Sequence, residues 1–224
     1  MVSGNKRPAP ISRSSWITAL VLSGTALIAT AALYNRLPSS VPVHWNIMGE
    51  ADSYGPRYMV WVLGSLPLLT ALLMRLLPQI DPRRGNYEKS ERAYNAVFLA
   101  TVTLMTLIHL MVLAVSVGID LRADMIVKAG VGVLFVVIGN YLGTIRSTFF
   151  FGIRTPWTLS NDEIWRRTHR LGGRLFILAG FCFIVSSFFR GLLSAILPFS
   201  ALAIAVTVPL VYSCVIYKRQ APPD

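Results

Sequence analysis

Residues 96–118 read AVFLATVTLMTLIHLMVLAVSVG, and His109 is their one titratable side chain. A hydrocarbon layer ~30 Å thick needs about 20 apolar residues in a helix to cross it. This stretch meets that length and carries no Gly or Pro before its last residue. It is therefore expected to span a membrane. Five further runs have the same character: residues 16–34, 58–77, 125–145, 175–189 and 192–217. The expected architecture is an all-α integral membrane protein, a six-transmembrane-helix bundle. Composition agrees, since 54% of the 224 residues are hydrophobic and only 14% charged. A soluble domain is nearer a quarter charged.

The net charge is +11. In a soluble chain that would suggest nucleic acid, but here it reads as Lys and Arg retained on the cytoplasmic side, so no direct nucleic-acid partner is expected. With the N-terminus inside, sixteen basic residues fall on inner segments and five on outer ones. Both termini are then cytoplasmic. The organisation is a tail at 1–15, three spans over 16–118 with an outer loop at 35–57, three more over 119–217 with an inner loop at 146–174, and a tail at 218–224. Ala29-Thr30-Ala31 resembles a signal-peptidase site, but the apolar run continues past it, which favours an uncleaved span. Cys182 and Cys214 sit in apolar runs and read as small packed residues, not a disulfide.

The outer loop, YNRLPSSVPVHWNIMGEADSYGPR at 34–57, is expected to be ordered. Pro38 and Pro42 favour extended backbone, and Gly49 and Gly55-Pro56 mark turns. Tyr34, Trp45, Tyr54 and Tyr58 suit a membrane interface. His44, Asn46, Glu50 and Asp52 lie close together. One reading makes His44 and Asp52 metal ligands, or a base and its orienter. The other is turn chemistry, with His44 bonded to a backbone carbonyl. A zinc site wants three or four protein ligands, and the loop offers one His, no Cys and two carboxylates.

The inner segment GIRTPWTLSNDEIWRRTHRLGG, residues 152–173, carries a different pattern. Pro156 stops any helix running on from the fourth span. Ser160 and Glu163 have capping-box spacing. A helix over 161–171 follows, ended by Gly172-Gly173. Ile164, Trp165, Thr168 and Leu171 form one stripe, while Arg166, Arg170 and Arg174 follow at intervals of four. Glu163 and Arg167 can pair. The expectation is a cytoplasmic interfacial helix with its arginines on anionic lipid. Glu163 and His169 are six apart and do not share a helical face, so they cannot hold one metal. His169 is expected to bond a neighbouring loop.

His109 lies mid-span with Thr103 and Thr106 nearby and Asn140 as a partner to consider. An ionisable group there is a functional hypothesis, yet no Asp or Glu lies deep in any span. A neutral, hydrogen-bonded His109 is the expectation.

Two stretches resemble a known family. LPSSVPVHWNIMGEAD carries Leu-Pro, Pro-x-His, Asn, Gly and Asp as in the outer-loop motif of the SdpI family of bacterial immunity proteins. GNYLGTIRSTFFFGIRTPWTLSNDEIWRRTHRLGG, residues 139–173, resembles its second signature. Thr144 replaces a usual Lys, and Ser147-Thr148 a usual Pro-Asn. By position, the family-like outer residues are Pro42, His44, Asn46, Gly49 and Asp52. The inner ones are Gly139, Asn140, Arg146, Gly152, Arg154, Thr155, Pro156, Trp157, Glu163, Trp165, Thr168, His169 and Arg170. The resemblance implies resistance to a secreted peptide toxin, and signalling by holding a cytoplasmic transcriptional repressor at the membrane. No cofactor and no catalytic residue is expected. Two other classes are the alternatives: a membrane-embedded metallohydrolase, and a small proton-linked transporter using His109.

Overall fold

A computed structural model describes residues 10–46 and 50–220. Six helices are long and apolar enough to cross a membrane. They are α1 (Arg13–Leu33), α2 (Met59–Ile80), α4 (Glu91–Ser116), α5 (Ala123–Leu142), α7 (Asp162–Ser186) and α8 (Leu193–Gln220). Short helices α3 (Gly85–Glu88) and α6 (Pro156–Ser160) lie in connections. Strands β1 (Ser40–Trp45) and β2 (Ala51–Pro56) form an antiparallel hairpin between α1 and α2. The all-α six-span bundle is as expected. Its ordered outer loop takes the form of that hairpin.

The helices form two sets. α1, α2 and α4 pack on one another, α7 lies between α5 and α8, and α4 touches α5. Lipid is as apolar as leucine, so close backbone approach over small residues must drive this packing. On α1 the buried positions are Ser15, Ala19, Ser23, Ala26 and Thr30, a stripe at spacings of four, four, three and four. On α2, Gly64 lies so close to α4 that a methyl group there would sit 2.9 Å from His109 Nε2.

In the second set, glycines meet glycines. A Cβ on Gly139 would sit 2.5 Å from the Gly173 carbonyl oxygen, and one on Gly132 2.7 Å from that of Gly180. The pairs are seven residues apart on both helices, which run antiparallel. This corrects the reading of Gly172-Gly173 as a helix stop. Both are buried inside α7, and a methyl on Gly172 would meet Ile153 Cδ1 at 2.5 Å. They are small because α5 and the preceding connection press on them. The expected interfacial helix is therefore the first part of the fifth span, not a separate element. Gly139→Val is expected to destabilise the protein by about 3 kcal/mol through overpacking. Thermal unfolding in detergent checks it, and an unchanged midpoint would show that α5 can move aside.

Between α7 and α8 the chain turns at Phe189-Arg190-Gly191, with Gly191 at φ +83°. Pro67 lies inside an unbroken α2, and Pro198 and Pro209 inside an unbroken α8. Both cysteines are free.

Candidate functional site

Two ends of the bundle carry the polar chemistry. At the hairpin end, Val41 is fully buried and packs with Leu37, Val60 and Leu113. Trp45 packs against the cluster of Met111, Val112 and Ala123. The hairpin thus sits on the bundle through β1, and β2 faces outward. Its base is closed by Arg57 N–H donating to Ser39 O at 3.0 Å. Pro42 is buried in β1 and supplies no N–H. The pairing register is irregular on both sides of His44. Irregularities of this kind re-aim a side chain. Here His44 Nδ1 meets Asp52 Oδ1 at 2.5 Å. The backbone-carbonyl alternative for His44 is therefore corrected: its partner is the Asp52 carboxylate. With Nδ1 held by Asp52, the His44 side chain is still 67% exposed.

At the hairpin tip Asn46 Oδ1 accepts from Glu50 N–H at 3.1 Å, and Asn46 Nδ2 donates to Glu50 Oε2 at 3.2 Å. Asn46 and Glu50 thereby tie the two strands together beyond Trp45 and Ala51. Gly49 lies outside the described residues. Among the described residues no group of three His, Cys, Asp or Glu side chains could hold a metal.

The other end is basic and more deeply built. Residues 143–155 leave α5 and fold back over the bundle. Trp165 is 1% exposed, donates Nε1–H to Ile145 O at 2.8 Å, and stacks on His169 with ring centroids 3.9 Å apart. His169 is fully buried; its Nε2 accepts from Ile153 N–H at 2.9 Å and its Nδ1 donates to Trp165 O at 2.8 Å. Both nitrogens are used, so His169 is a neutral clamp on the connection, the loop bond expected of it. Gly152 passes beneath the clamp at φ +119°, and a Cβ there would sit 2.6 Å from His169 Nε2. Only glycine meets both demands.

The next turn is capped differently from expectation. Thr155 and Thr158 form the capping box, with Pro156 opening α6. Asn161, not Ser160, caps α7, accepting from Glu163 N–H at 2.8 Å and Ile164 N–H at 3.2 Å. Ser160 donates instead to Trp157 O at 3.0 Å. Thr155 also bonds Ser213 on α8 at 3.1 Å, and Arg154 donates to Phe149 O at 2.6 Å. Trp157 is half-buried. The apolar stripe of α7 is a protein-packing face, since Ile164, Trp165 and Thr168 are buried. Its basic face is exposed: Glu163 pairs with Arg166 and, at 2.7 Å, with Arg167, while Arg170 also points outward.

Sequence reading missed Asp81. It is 2% exposed, directly after α2. Oδ1 accepts from Arg83 N–H at 2.7 Å. Oδ2 accepts from Tyr87 O–H at 2.9 Å, Phe149 N–H at 2.8 Å and Phe150 N–H at 3.2 Å. One carboxylate therefore binds the α2–α3 corner to the 143–155 connection. Burial, then the Asp81 carboxylate, push the Tyr87 hydroxyl above the ordinary tyrosine range and keep it a donor. Arg83 reinforces the junction through Ser147 and Leu159 O. Asp81-Pro82 after an apolar run was the available signal. Ser147 and Thr148, which depart from the family motif, are both buried here, and Thr148 donates to Phe151 O at 2.7 Å.

Within the bundle, His109 Nε2 lies 2.7 Å from Thr30 Oγ1. Thr30 donates its own proton to Ala26 O, so His109 Nε2–H is the donor and Nδ1 carries none. Asn140 is not its partner: that side chain is on the exposed face of α5. Thr103 makes no bond to it, and Thr106 Oγ1 is buried without a partner. Thr30 is the one side chain that His109 is seen to bond among the described residues. His44 and Asp52 lie at one end and Glu163 and His169 at the other, so the four form no joint site.

A six-span all-α membrane protein with an ordered hairpin at one end and a clamped basic connection at the other is the class these features define. Within it, the chain is similar to the SdpI family. The model for the SdpI/YfhL protein family matches residues 144–213, from the end of α5 into α8. A domain of unknown function (DUF1648) matches residues 21–71, which include the hairpin. Over 206 residues the chain is 22% identical to immunity protein SdpI of Bacillus subtilis (strain 168), covering 91% of this chain and 96% of that protein. The resemblance drawn from the two motifs is thereby borne out. No solved structure matches the chain.

Proposed function

We propose that the protein is a membrane immunity protein that protects its cell from a secreted peptide toxin. The observation that carries this reading is the exposed His44–Asp52 pair on a hairpin seated rigidly on the bundle. The name of the Bacillus relative supports it. A peptide that attacks the membrane arrives from outside, and an ordered surface lowers the entropic cost of capturing it. Cells of the source organism lacking this protein should lose viability in the parent's spent medium. Equal viability with and without the protein would overturn the immunity reading.

The orientation puts both termini in the cytoplasm and the hairpin outside, on the sixteen-to-five charge bias. The basic end then offers Arg154, Arg166, Arg167 and Arg170 to anionic lipid and to a cytoplasmic repressor held at the membrane. Its clamped backbone suits signalling better than a loose tail would. With Cys182 and Cys214 first replaced by Ser, an impermeant thiol reagent on intact cells should label Ser53→Cys and miss Asn161→Cys. Labelling of both would refute the arrangement.

A further inference from the structure

At the basic end a cleft of about 340 Å³ opens between the α3–α4 corner, the 143–155 connection and the first turn of α7. Asn86, Lys89, Arg146, Asp162, Trp165 and Arg166 line it. Its walls are fixed. Asn86 Nδ2 donates to Ser147 O at 2.7 Å, Arg146 N–H donates to Ser90 Oγ at 2.9 Å, and Trp165 is held by Ile145 and His169. Its charges are only partly used. Arg166 is bound to Glu163 from the side. The side chains of Lys89 and Arg146 make no hydrogen bond or ion pair with any described residue.

Three cations thus face one carboxylate, Asp162. Charges left unpaired around a fixed cavity are a binding asymmetry, because an anion there gains two cations without breaking an existing pair. Lys89 and Arg146 each lie a few residues from the end of a span, α4 and α5. That is the depth of lipid phosphates. The cleft is roomier than a lone ion needs.

The geometry points to a binding site for a phosphate group, taken between Lys89 and Arg146, borne by an anionic lipid headgroup or by a soluble phosphate compound. The Asp162 carboxylate opposes the ligand and limits its affinity. The inference deepens the reading of the basic end as an anionic-lipid contact, by giving that contact one stoichiometric seat.

The test uses the full chain with two probes. Pyrophosphate binding is followed by calorimetry in phosphatidylcholine nanodiscs. Retained phosphatidylglycerol is counted by native mass spectrometry from detergent. K89Q/R146Q should weaken binding of whichever probe is the ligand by about tenfold or more, from the loss of two charges near the surface. D162N should strengthen it severalfold, a sign that loss of structure cannot produce. K218Q/R219Q, which removes the same charge from the end of α8, should leave it unchanged. Pyrophosphate bound without retained lipid assigns a soluble ligand; retained lipid shed by K89Q/R146Q assigns a headgroup. If neither probe binds, or if binding ignores K89Q/R146Q, the cleft is not a phosphate site. If K89Q/R146Q and K218Q/R219Q shed lipid equally, the cleft fails while the diffuse lipid contact stands.

Discussion

Replacing Asp81 by alanine is expected to cost the protein about 3 kcal/mol and to release the connection after α5. Four donors converge on this one buried carboxylate, and two of them are the backbone N–H groups of Phe149 and Phe150. Alanine leaves all four without their acceptor. Unmet buried donors cost more than the bond itself contributes, because water cannot replace the lost partner. Asp81→Asn should lose less, since its amide oxygen can still accept at the Oδ2 position. Its NH2 would then face Arg83 N–H, donor against donor. Two measurements check this: the unfolding midpoint in detergent, and trypsin cleavage after Arg146 and Arg154, which should appear in Asp81→Ala before global unfolding. If the midpoint holds and both sites stay protected, the connection is held by Trp165 and His169 without Asp81.

How much of this was legible in the sequence depended on the range of the cause. Spans were legible because lipid imposes a length and a composition on every segment that crosses it. Boundaries moved by a few residues where a cap decided them. Asn161 rather than Ser160 capped α7, since either residue type can accept from the first turn. Gly172-Gly173 were misread for a deeper reason. Glycine ends helices and also lets helices touch, and local sequence does not separate these uses. The seven-residue spacing of Gly132 with Gly139, matched by Gly173 with Gly180, was the available clue.

The site divided along the same line. His169 was read correctly, as a loop bond, because its spacing from Glu163 excluded a shared metal. The pairing of His44 with Asp52 was one of two open readings, because eight residues apart can mean adjacency only if the chain doubles back between them. Pro42 and the turn residues implied extended backbone but not which residues would face each other; the irregular register at His44 decides that. Asp81 left almost no trace, because the partners that give it its role, Phe149 and Phe150, are some seventy residues away.

His44→Ala is expected to reduce protection by about tenfold, equivalent to about 1.4 kcal/mol of ligand affinity, with the amount of protein in the membrane unchanged. The two halves of that statement have separate causes. Both side chains are exposed, so their pairing contributes little to stability. The hairpin is instead anchored by Val41, Leu37 and Trp45, which the substitution does not touch. Removing the ring removes an exposed group whose orientation the bond to Asp52 fixes. Asp52→Ala should lower protection by freeing the ring to rotate, and Asp52→Asn should retain more, since its oxygen can still accept from Nδ1–H. Survival in spent medium, with the peptide followed by mass spectrometry, reads the outcome. Intact peptide retained by wild type and lost by His44→Ala supports capture. Cleaved peptide, together with stoichiometric zinc lost in His44→Ala, would replace capture with hydrolysis and require ligands beyond the pair. Full protection by both alanine variants would make the hairpin a scaffold and move the protective chemistry to the spans or to the basic end.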